Sequence, residues 1–239
     1  MSRTLMADSR PFFEWLDAWE TARGYLSLHQ LCCEVGGPDR VWVACVDLLK
    51  GFCTEGPLSS PRVASVVEPI AHLMSKAHGE GVRDFIMVMD RHSADTAEFS
   101  AWPPHCLAGT SEAELPDALT ELPFSDRFTL VPKDSLCAFT GTSLDTLVAE
   151  RGLPGAVICV GDCTDLCVYQ LAMGFKLRAN VAEEPTRVIV PADCVATFDV
   201  PVETAERIGA LPHPGDLMHS IFLYHLALND CDIVQGVVD

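Results

Sequence analysis

Between residue 41 and the C-terminus, short apolar runs alternate with segments of helical periodicity, and no other sequence feature constrains the fold as strongly. Strands are predicted at residues 41–46, 85–89, 128–131, 156–160, 187–190 and 233–237. Helices are predicted at residues 61–78, 143–151, 165–177, 202–208 and 215–228. Repeated strand–helix units imply a parallel sheet with helices on both faces. We therefore predict an α/β fold, a three-layer α/β/α sandwich around a mainly parallel six-stranded sheet.

Residues 1–38 differ in pattern from the rest of the chain. Residues 11–35 are typical mostly of one helix, which Gly36-Gly37-Pro38 ends. Its predicted apolar face is formed by Phe12, Phe13, Trp15, Leu16 and Trp19. We predict an N-terminal helical extension over residues 1–38 and a main domain over residues 39–239. We interpret the extension as a brace on the domain, and an arm that docks a partner or a second copy is the alternative.

Composition and charge exclude several classes of protein. No stretch approaches the roughly 18 apolar residues of a membrane span, and the N-terminus lacks the pattern of a signal peptide. The 11 cysteines are an odd number spread through strand and helix patterns, which favours reduced thiols and a cytoplasmic location. The formal charge of −18 argues against binding to nucleic acid or to anionic membranes.

The segment 161–168 follows a predicted strand and leads into a helix, which is a geometry that can activate a cysteine. A thiol in the first helical turn feels the positive end of the helix dipole, which lowers its pKa, and free backbone N–H groups there can bind an oxyanion. Cys167 is the candidate nucleophile, with a small core residue as the structural alternative. Asp47 and Lys133 follow two other predicted strands. Because functional sites of such sheets lie at the carboxyl ends of the strands, we expect these side chains to meet.

The long polar connection from residue 90 to 126 carries the residue types of a metal site. Asp90 and His92 are two apart, so in an extended segment they project to the same side. With His105 they make a carboxylate and two imidazoles, which suit Zn²⁺, Fe²⁺ or Mn²⁺. Glu98 is a candidate fourth ligand. A surface acid with a hydrogen-bonded loop histidine is the structural alternative.

These residues resemble a known family. Asp47, Lys133 and Cys167, with the segment Thr164-Asp165-Leu166-Cys167-Val168, resemble the catalytic set of the isochorismatase-like cysteine hydrolases. The loop from Asp90 to Leu115, with its Trp-Pro-Pro-His-Cys sequence, resembles more narrowly the nicotinamidases, also called pyrazinamidases. The resemblance covers roughly residues 40 to 237 and leaves the extension outside. It implies an isochorismatase-like, Rossmann-like fold.

The resemblance implies a reaction and three catalytic roles. Cys167 attacks the amide carbon, Asp47 takes the thiol proton and passes it to departing ammonia, and Lys133 stabilises the charges between them. A thioester acyl-enzyme is then hydrolysed by water. The expected reaction is the conversion of nicotinamide to nicotinate and ammonia in NAD salvage.

The resemblance also implies the surroundings of the reaction. The backbone N–H groups of Cys163 and Cys167 form the oxyanion hole, with a cis peptide between Asp162 and Cys163. The aromatic rings of Phe52 and Trp102 flank the substrate. The metal ion, expected to be Zn²⁺ with Fe²⁺ or Mn²⁺ as alternatives, binds the pyridine nitrogen. Its expected ligands are Asp90, His92, His105 and Glu98. The protein is expected to be a homo-oligomer.

Departures from the family pattern keep other functions open. Leu49 stands where nicotinamidases have a polar pocket residue, which favours another small amide or a carbamoyl compound as the alternative substrate. A non-catalytic binding protein is the third hypothesis. Cys137 and Cys163 are interpreted as small packing residues, because neither forms a Cys-x-x-Cys spacing with Cys167. The other histidines are interpreted as structural or surface residues: His29, His72, His78, His213, His219 and His225.

Overall fold

A parallel sheet dominates the computed structural model, which describes residues 5–239. In chain order the strands are β1 (Leu26–Ser27), β2 (Val41–Val46), β3 (Asp84–Asp90), β4 (Thr129–Lys133), β5 (Ala156–Asp162), β6 (Arg187–Pro191), β7 (Val195–Ala196), β8 (Asp232–Val234) and β9 (Val237–Val238). The main sheet has the order β4-β3-β2-β5-β6-β8, with β7 paired to the end of β5. Every pairing in it is parallel. The prediction of a parallel α/β fold is confirmed.

Helices cover both faces of this sheet. In chain order they are α1 (Leu5–Thr21), α2 (Leu28–Val35), α3 (Lys50–Cys53), α4 (Pro61–Ala64), α5 (Val67–Glu80), α6 (Asp117–Thr120), α7 (Leu144–Arg151), α8 (Cys167–Ala182), α9 (Val202–Ile208) and α10 (Gly215–Leu228). One core cluster joins α2 and α5 to one face, and a second joins α7, α8 and α10 to the other. Within residues 5–239 no helix has both the length and the apolar character needed to cross a membrane.

The central strands explain why the sequence shows apolar runs rather than alternation. Every residue of β2 and of β5 is buried, because helices exclude water from both faces of the sheet. Their neighbours β3 and β6 are buried except at their first residues. The carboxyl ends of β2, β3, β4 and β5 therefore open at one edge, where polar side chains follow buried strands.

The structure corrects four details of the predicted elements. The sheet has a seventh strand, β7, which is too short to give a sequence signal. The predicted helix over residues 61–78 is divided into α4 and α5. The predicted helix over residues 11–35 is also divided, because β1 lies between α1 and α2 and pairs with β9 near the C-terminus. The predicted last strand over residues 233–237 is likewise divided between β8 and β9.

Helix α1 packs on α10 through an aromatic cluster. The ring of Tyr224 meets those of Phe12 and Trp15 edge-on, at centroid distances of 5.1 and 5.7 Å. Leu16 is buried, whereas half of the surface of Trp15 stays exposed. The first helix of the extension thus packs on α10, an outer helix of the domain.

Candidate active site

Three strand ends bring Asp47, Asp90 and Lys133 together. Asp47 follows β2, while Asp90 and Lys133 end β3 and β4 and are direct register partners. The backbone N–H of Asp90 donates to Asp47 Oδ1 at 2.8 Å, and that of Asp47 donates to the carbonyl of Val88 at 2.8 Å. Asp47 has a φ of +56°, which turns the chain away from the sheet directly after the strand. The side chains of all three residues are almost fully buried.

The Lys133 ammonium is the centre of this group. Its Nζ lies 2.8 Å from Asp47 Oδ2 and 3.5 Å from Cys167 Sγ, and it donates to Asp90 Oδ1. The Asp47 carboxylate is also within hydrogen-bonding reach of the Cys167 thiol. The structure therefore brings together the acid, the base and the thiol named from the sequence. One buried cation lies between two carboxylates and a cysteine, so its charge partly offsets the effect of the carboxylates on the sulfur.

Burial and these neighbours shift the protonation equilibria in opposite directions. Burial and the nearby Asp90 raise the pKa of Asp47 to about 6, although Lys133 opposes the shift. For Asp90 burial acts in the same sense, but Lys133 and the two histidines outweigh it and lower the pKa below its usual range. Burial would lower the pKa of Lys133, yet the surrounding acidic groups hold it well above its ordinary value.

The pKa of Cys167 differs from the sequence expectation. Burial raises it well above that of a free cysteine, and the attraction of Lys133 only partly offsets this effect. The helix-dipole argument predicted a lowered pKa and is wrong for the resting site, since desolvation of a fully buried sulfur is the larger effect. The raised pKa favours a neutral thiol at rest, so a base would have to take its proton for Cys167 to act as a nucleophile. Asp47, with its raised pKa, is in place to do so.

The loop between β5 and α8 presents two backbone donors. The peptide between Asp162 and Cys163 is cis, and α8 begins at Cys167. Within the described chain, neither the backbone N–H of Cys163 nor that of Cys167 donates to another protein group. Gly161 leads into the loop with a φ of +115°, and a Cβ there would lie 2.0 Å from the carbonyl oxygen of Val46. The close approach of the end of β5 to the neighbouring strand β2 thus requires glycine.

Four candidate ligands gather beside this centre. One ligand atom from each of Asp90, His92, Glu98 and His105 lies within 4.8 Å of the others. Asp90 Oδ2 faces the histidines, at 3.4 Å from His92 Nε2 and 3.7 Å from His105 Nε2. Asp90, His92 and His105 are buried and Glu98 is half-buried. The structure brings all four predicted ligands together.

The hydrogen bonds of the two imidazoles fit a cation. His92 Nδ1 lies 2.7 Å from Asp134 Oδ1, and His105 Nδ1 lies 2.8 Å from the carbonyl oxygen of Pro103. Both outer partners accept, so each Nδ1 donates, and in the neutral imidazole each Nε2 has a free lone pair that faces Asp90. His92 Nε2 is buried without a hydrogen-bond partner in the described chain. Acceptor atoms that face one another in this way suit a bound divalent ion.

The two aromatic residues named from the sequence lie at different depths. The Phe52 ring is buried, with its centroid 5.4 Å from that of His105, and so borders the ligand cluster. Trp102 is half-buried and meets Phe198 edge-on at 6.0 Å. Phe198 itself stacks on His213 at 3.9 Å. The aromatic surroundings thus extend to residues that the sequence did not single out.

Sequence reasoning missed a buried carboxylate–histidine pair beside the loop that leads to Cys167. Asp165, two residues before Cys167, accepts from Thr197 Oγ1 at 2.6 Å and from His213 Nε2 at 2.8 Å. His213 Nδ1 donates to the carbonyl of Phe198 at 2.9 Å. The interpretation of His213 as a structural or surface residue did not identify these partners. Asp165 is part of the family segment, but no spacing signal connects it to a residue 48 positions away.

The side chain of Asp162 is a second feature that the sequence did not reveal. It is almost fully buried, and its Oδ1 has no hydrogen-bond partner in the described chain. Burial and the neighbouring Asp47 raise its pKa well above the usual value. Both effects favour the neutral form of this carboxyl group, which lies at the end of β5 directly before the two free backbone donors.

Comparisons with known proteins show the family of the chain. The isochorismatase domain family matches residues 41–207. Nicotinamidase 1 of Arabidopsis thaliana is 32% identical over 213 residues, which are 82% of this chain and 86% of that protein. The nicotinamidase/pyrazinamidase of Mycobacterium tuberculosis is 28% identical over 178 residues, which are 68% of this chain and 91% of that protein.

A solved structure shares the fold. A cysteine hydrolase from Pseudomonas syringae pv. phaseolicola superposes with a TM-score of 0.68 at 24% identity, covering 83% of this chain and 89% of that one. The fold class and the family resemblance drawn from the sequence are confirmed.

Proposed function

The chain belongs to the isochorismatase family and is an amidohydrolase, and we propose that it converts nicotinamide to nicotinate and ammonia through a thioester on Cys167. The observation that carries the proposal is the position of Lys133 Nζ, 2.8 Å from Asp47 Oδ2 and 3.5 Å from Cys167 Sγ. An amide is a poor electrophile, so its hydrolysis through a covalent intermediate needs an activated thiol, a proton donor for the amine and fixed oxyanion donors. The relatives named as nicotinamidases support the choice of substrate.

In the first step the Cys167 sulfur bonds to the amide carbon while its proton passes to Asp47. Lys133 stays protonated, and its ammonium stabilises the developing thiolate while it remains in contact with the Asp47 carboxyl group. The free N–H groups of Cys163 and Cys167 support an oxyanion hole for the carbonyl oxygen, because no other group in the described chain takes them. As the carbon–nitrogen bond breaks, Asp47 gives the proton to the departing ammonia.

The second half of the reaction releases the acid. Water attacks the thioester carbon and gives a proton to Asp47, and the same two N–H groups receive the oxyanion again. The carbon–sulfur bond then breaks, Cys167 recovers a proton from Asp47, and the carboxylic acid leaves as its anion. The pKa of about 6 for Asp47 suits a group that accepts and returns a proton near neutral pH.

We propose that a divalent metal ion is held by Asp90, His92, Glu98 and His105. The ion, Zn²⁺ in the first instance with Fe²⁺ or Mn²⁺ as alternatives, would bind the pyridine nitrogen and so orient the substrate. The gathered donor atoms and the unpartnered Nε2 of His92 support this assignment. Phe52, beside His105, supplies an apolar wall for the ring, and Trp102 is proposed for the opposite side.

The test is ammonia release from nicotinamide by the metal-loaded enzyme. Cys167→Ala and His92→Ala are expected to abolish it, while Cys137→Ala, a half-buried thiol outside the site, keeps it. Rapid quenching of the wild type should show by mass spectrometry one nicotinoyl group on the peptide that contains Cys167. Wild-type enzyme that carries metal but releases no ammonia from nicotinamide would refute the substrate.

A second candidate substrate is another small primary amide or a carbamoyl compound. The observation that favours it is Leu49, which is fully buried where the family resemblance implies a polar pocket residue. This candidate predicts ammonia release from that amide with negligible turnover of nicotinamide. A panel of primary amides and carbamoyl compounds, assayed under the same conditions, decides between the two.

The cellular setting follows from the proposed reaction. We propose that the protein serves NAD salvage in the cytoplasm, and all 11 cysteines being free supports a reducing compartment. We also propose a homo-oligomer on the family resemblance. Light scattering that shows a lone monomer at micromolar concentration would overturn that proposal.

A further inference from the structure

Asp134 contacts the candidate metal ligand His92 at the ring nitrogen that does not face the ligand cluster. Its Oδ1 lies 2.7 Å from His92 Nδ1, and the His92 side chain is fully buried, whereas that of Asp134 is 51% exposed. Asp134 follows directly after Lys133 at the end of β4. The backbone N–H of Arg91 donates to the carbonyl of Lys133 at 2.9 Å, which fixes the chain of Asp134 beside that of His92.

We propose that Asp134 is a positioning residue for the metal, which it orients and strengthens through His92. This inference rests on the proposed metal site. A carboxylate that accepts from Nδ1–H fixes the tautomer with the lone pair on Nε2, holds the ring in one plane and makes Nε2 a better donor. In this tautomer the lone pair is on His92 Nε2, which is buried without a hydrogen-bond partner in the described chain and faces Asp90 Oδ2 at 3.4 Å.

The second imidazole of the cluster is held differently. His105 Nδ1 donates to a backbone carbonyl, that of Pro103, at 2.8 Å. A neutral carbonyl fixes the ring plane but does not polarise the imidazole as a carboxylate does. Of the two histidines in the cluster, His92 therefore donates to a charged carboxylate and His105 donates to a neutral carbonyl. Among the outer contacts of the two rings, only that of His92 can be removed by a side-chain substitution.

The experiment measures metal affinity directly. Wild type, Asp134→Asn, Asp134→Ala and the control Asp145→Asn are freed of metal by chelation and titrated with Zn²⁺ and with Mn²⁺ against a chromophoric chelator. Asp145 is matched in exposure at 55% and in having a basic partner, Arg178, but it lies on the far helix α7. Co²⁺ absorption spectra report the ligand geometry independently of affinity.

Asp134→Ala should raise the Kd for metal by about 10- to 100-fold and alter the Co²⁺ spectrum. Asp134→Asn should lie between the wild type and Ala, because its amide oxygen still accepts from Nδ1–H without the charge. Asp145→Asn should stay within about twofold, as expected for an exposed pair. Asp134 variants that fold, by circular dichroism, and bind metal like the wild type would overturn the inference. If Asp134→Ala does not fold, Asp134→Asn decides in the same way.

The outcomes separate this inference from the proposed function. Wild-type protein that binds no divalent metal contradicts the metal site itself and overturns both. Wild type and Asp134→Ala with equal Kd values overturn only the role of Asp134. Nicotinamide hydrolysis by the metal-saturated wild type is measured separately and does not depend on the affinity of the variants.

Discussion

Replacing His213 with phenylalanine should destabilise the protein through a buried charge at Asp165. The His213 side chain is 14% exposed and that of Asp165 is 2% exposed, with 2.8 Å between His213 Nε2 and Asp165 Oδ2. Phenylalanine keeps a ring of similar shape, so the stack on Phe198 at 3.9 Å can remain. The substitution removes two hydrogen bonds of the imidazole, one with the Asp165 carboxylate and one with the Phe198 carbonyl.

The expected loss of unfolding free energy depends on the Asp165 carboxylate, which keeps its buried position without the histidine. Breaking a buried ion pair by removing one partner costs about 3 to 5 kcal/mol, because the remaining charge is uncompensated. Thr197 Oγ1 still donates to Asp165 at 2.6 Å, which favours the lower end of that range, about 3 kcal/mol. With a urea m-value of about 3 kcal/mol per molar for a chain of this size, the unfolding midpoint should fall by about 1 M.

The assay is urea unfolding followed by circular dichroism, with a double-mutant cycle. Asp165→Asn combined with His213→Phe removes the stranded charge, so the pair should cost less than the sum of the single changes, with a coupling of about 1 to 3 kcal/mol. His29→Phe is the control, because its pair with Glu80 is 69% exposed on the histidine side and should matter by less than about 0.5 kcal/mol. His213→Phe with a wild-type midpoint, or a coupling near zero, would refute the reasoning.

Three further outcomes are expected. Lys133→Met should lower kcat by about 10² to 10³, since it removes the preorganised charge beside Asp47 and Cys167. Steady-state kinetics at saturating metal measure this effect. An unchanged kcat would contradict the role of the ammonium. At pH 7 Cys167 should react with iodoacetamide more slowly than Cys137, and its rate should increase as the pH rises. The reason is that the pKa of Cys167 is raised, whereas hydrogen bonds outweigh partial burial at Cys137 and lower the pKa of that thiol. Peptide mass spectrometry measures both rates, and faster labelling of Cys167 than of Cys137 would indicate a preformed thiolate. Chelation should abolish ammonia release, and a divalent ion should restore it; full activity of protein shown by elemental analysis to be metal-free would contradict the proposed cofactor.

The fold could be predicted because its signal is local. Buried strands such as β2 and β5 appear as unbroken apolar runs, and the helices between them carry an apolar periodicity. The short pairing of β1 with β9 could not be predicted, since two-residue strands joined across the whole chain have no pattern of their own. The division of the N-terminal helix follows from that pairing and was missed with it.

The candidate site was predictable only in part, for a similar reason. A strand end followed by an acid or a base can be recognised one residue at a time, and this located Asp47, Asp90 and Lys133. The partners that hold such groups in place come from distant segments, as His213 does for Asp165 and Asp134 for His92. Their identity depends on loop paths and side-chain angles, which periodicity does not encode. The net effect of burial on the pKa of Cys167 was missed for the same reason.

Asp90 shows why the two halves of the site should be tested through other residues. The sequence suggested it only as a metal ligand, yet its Oδ1 accepts from Lys133 while its Oδ2 faces both histidines. A substitution at Asp90 would therefore remove a proposed ligand and also one buried counter-charge of the Lys133 ammonium. Lost activity in such a variant could not distinguish the metal from the proton transfer. His92 supplies a proposed ligand atom, whereas Lys133 supplies none, although it donates to Asp90. Metal affinity measured beside activity in variants at these two positions therefore separates the two contributions.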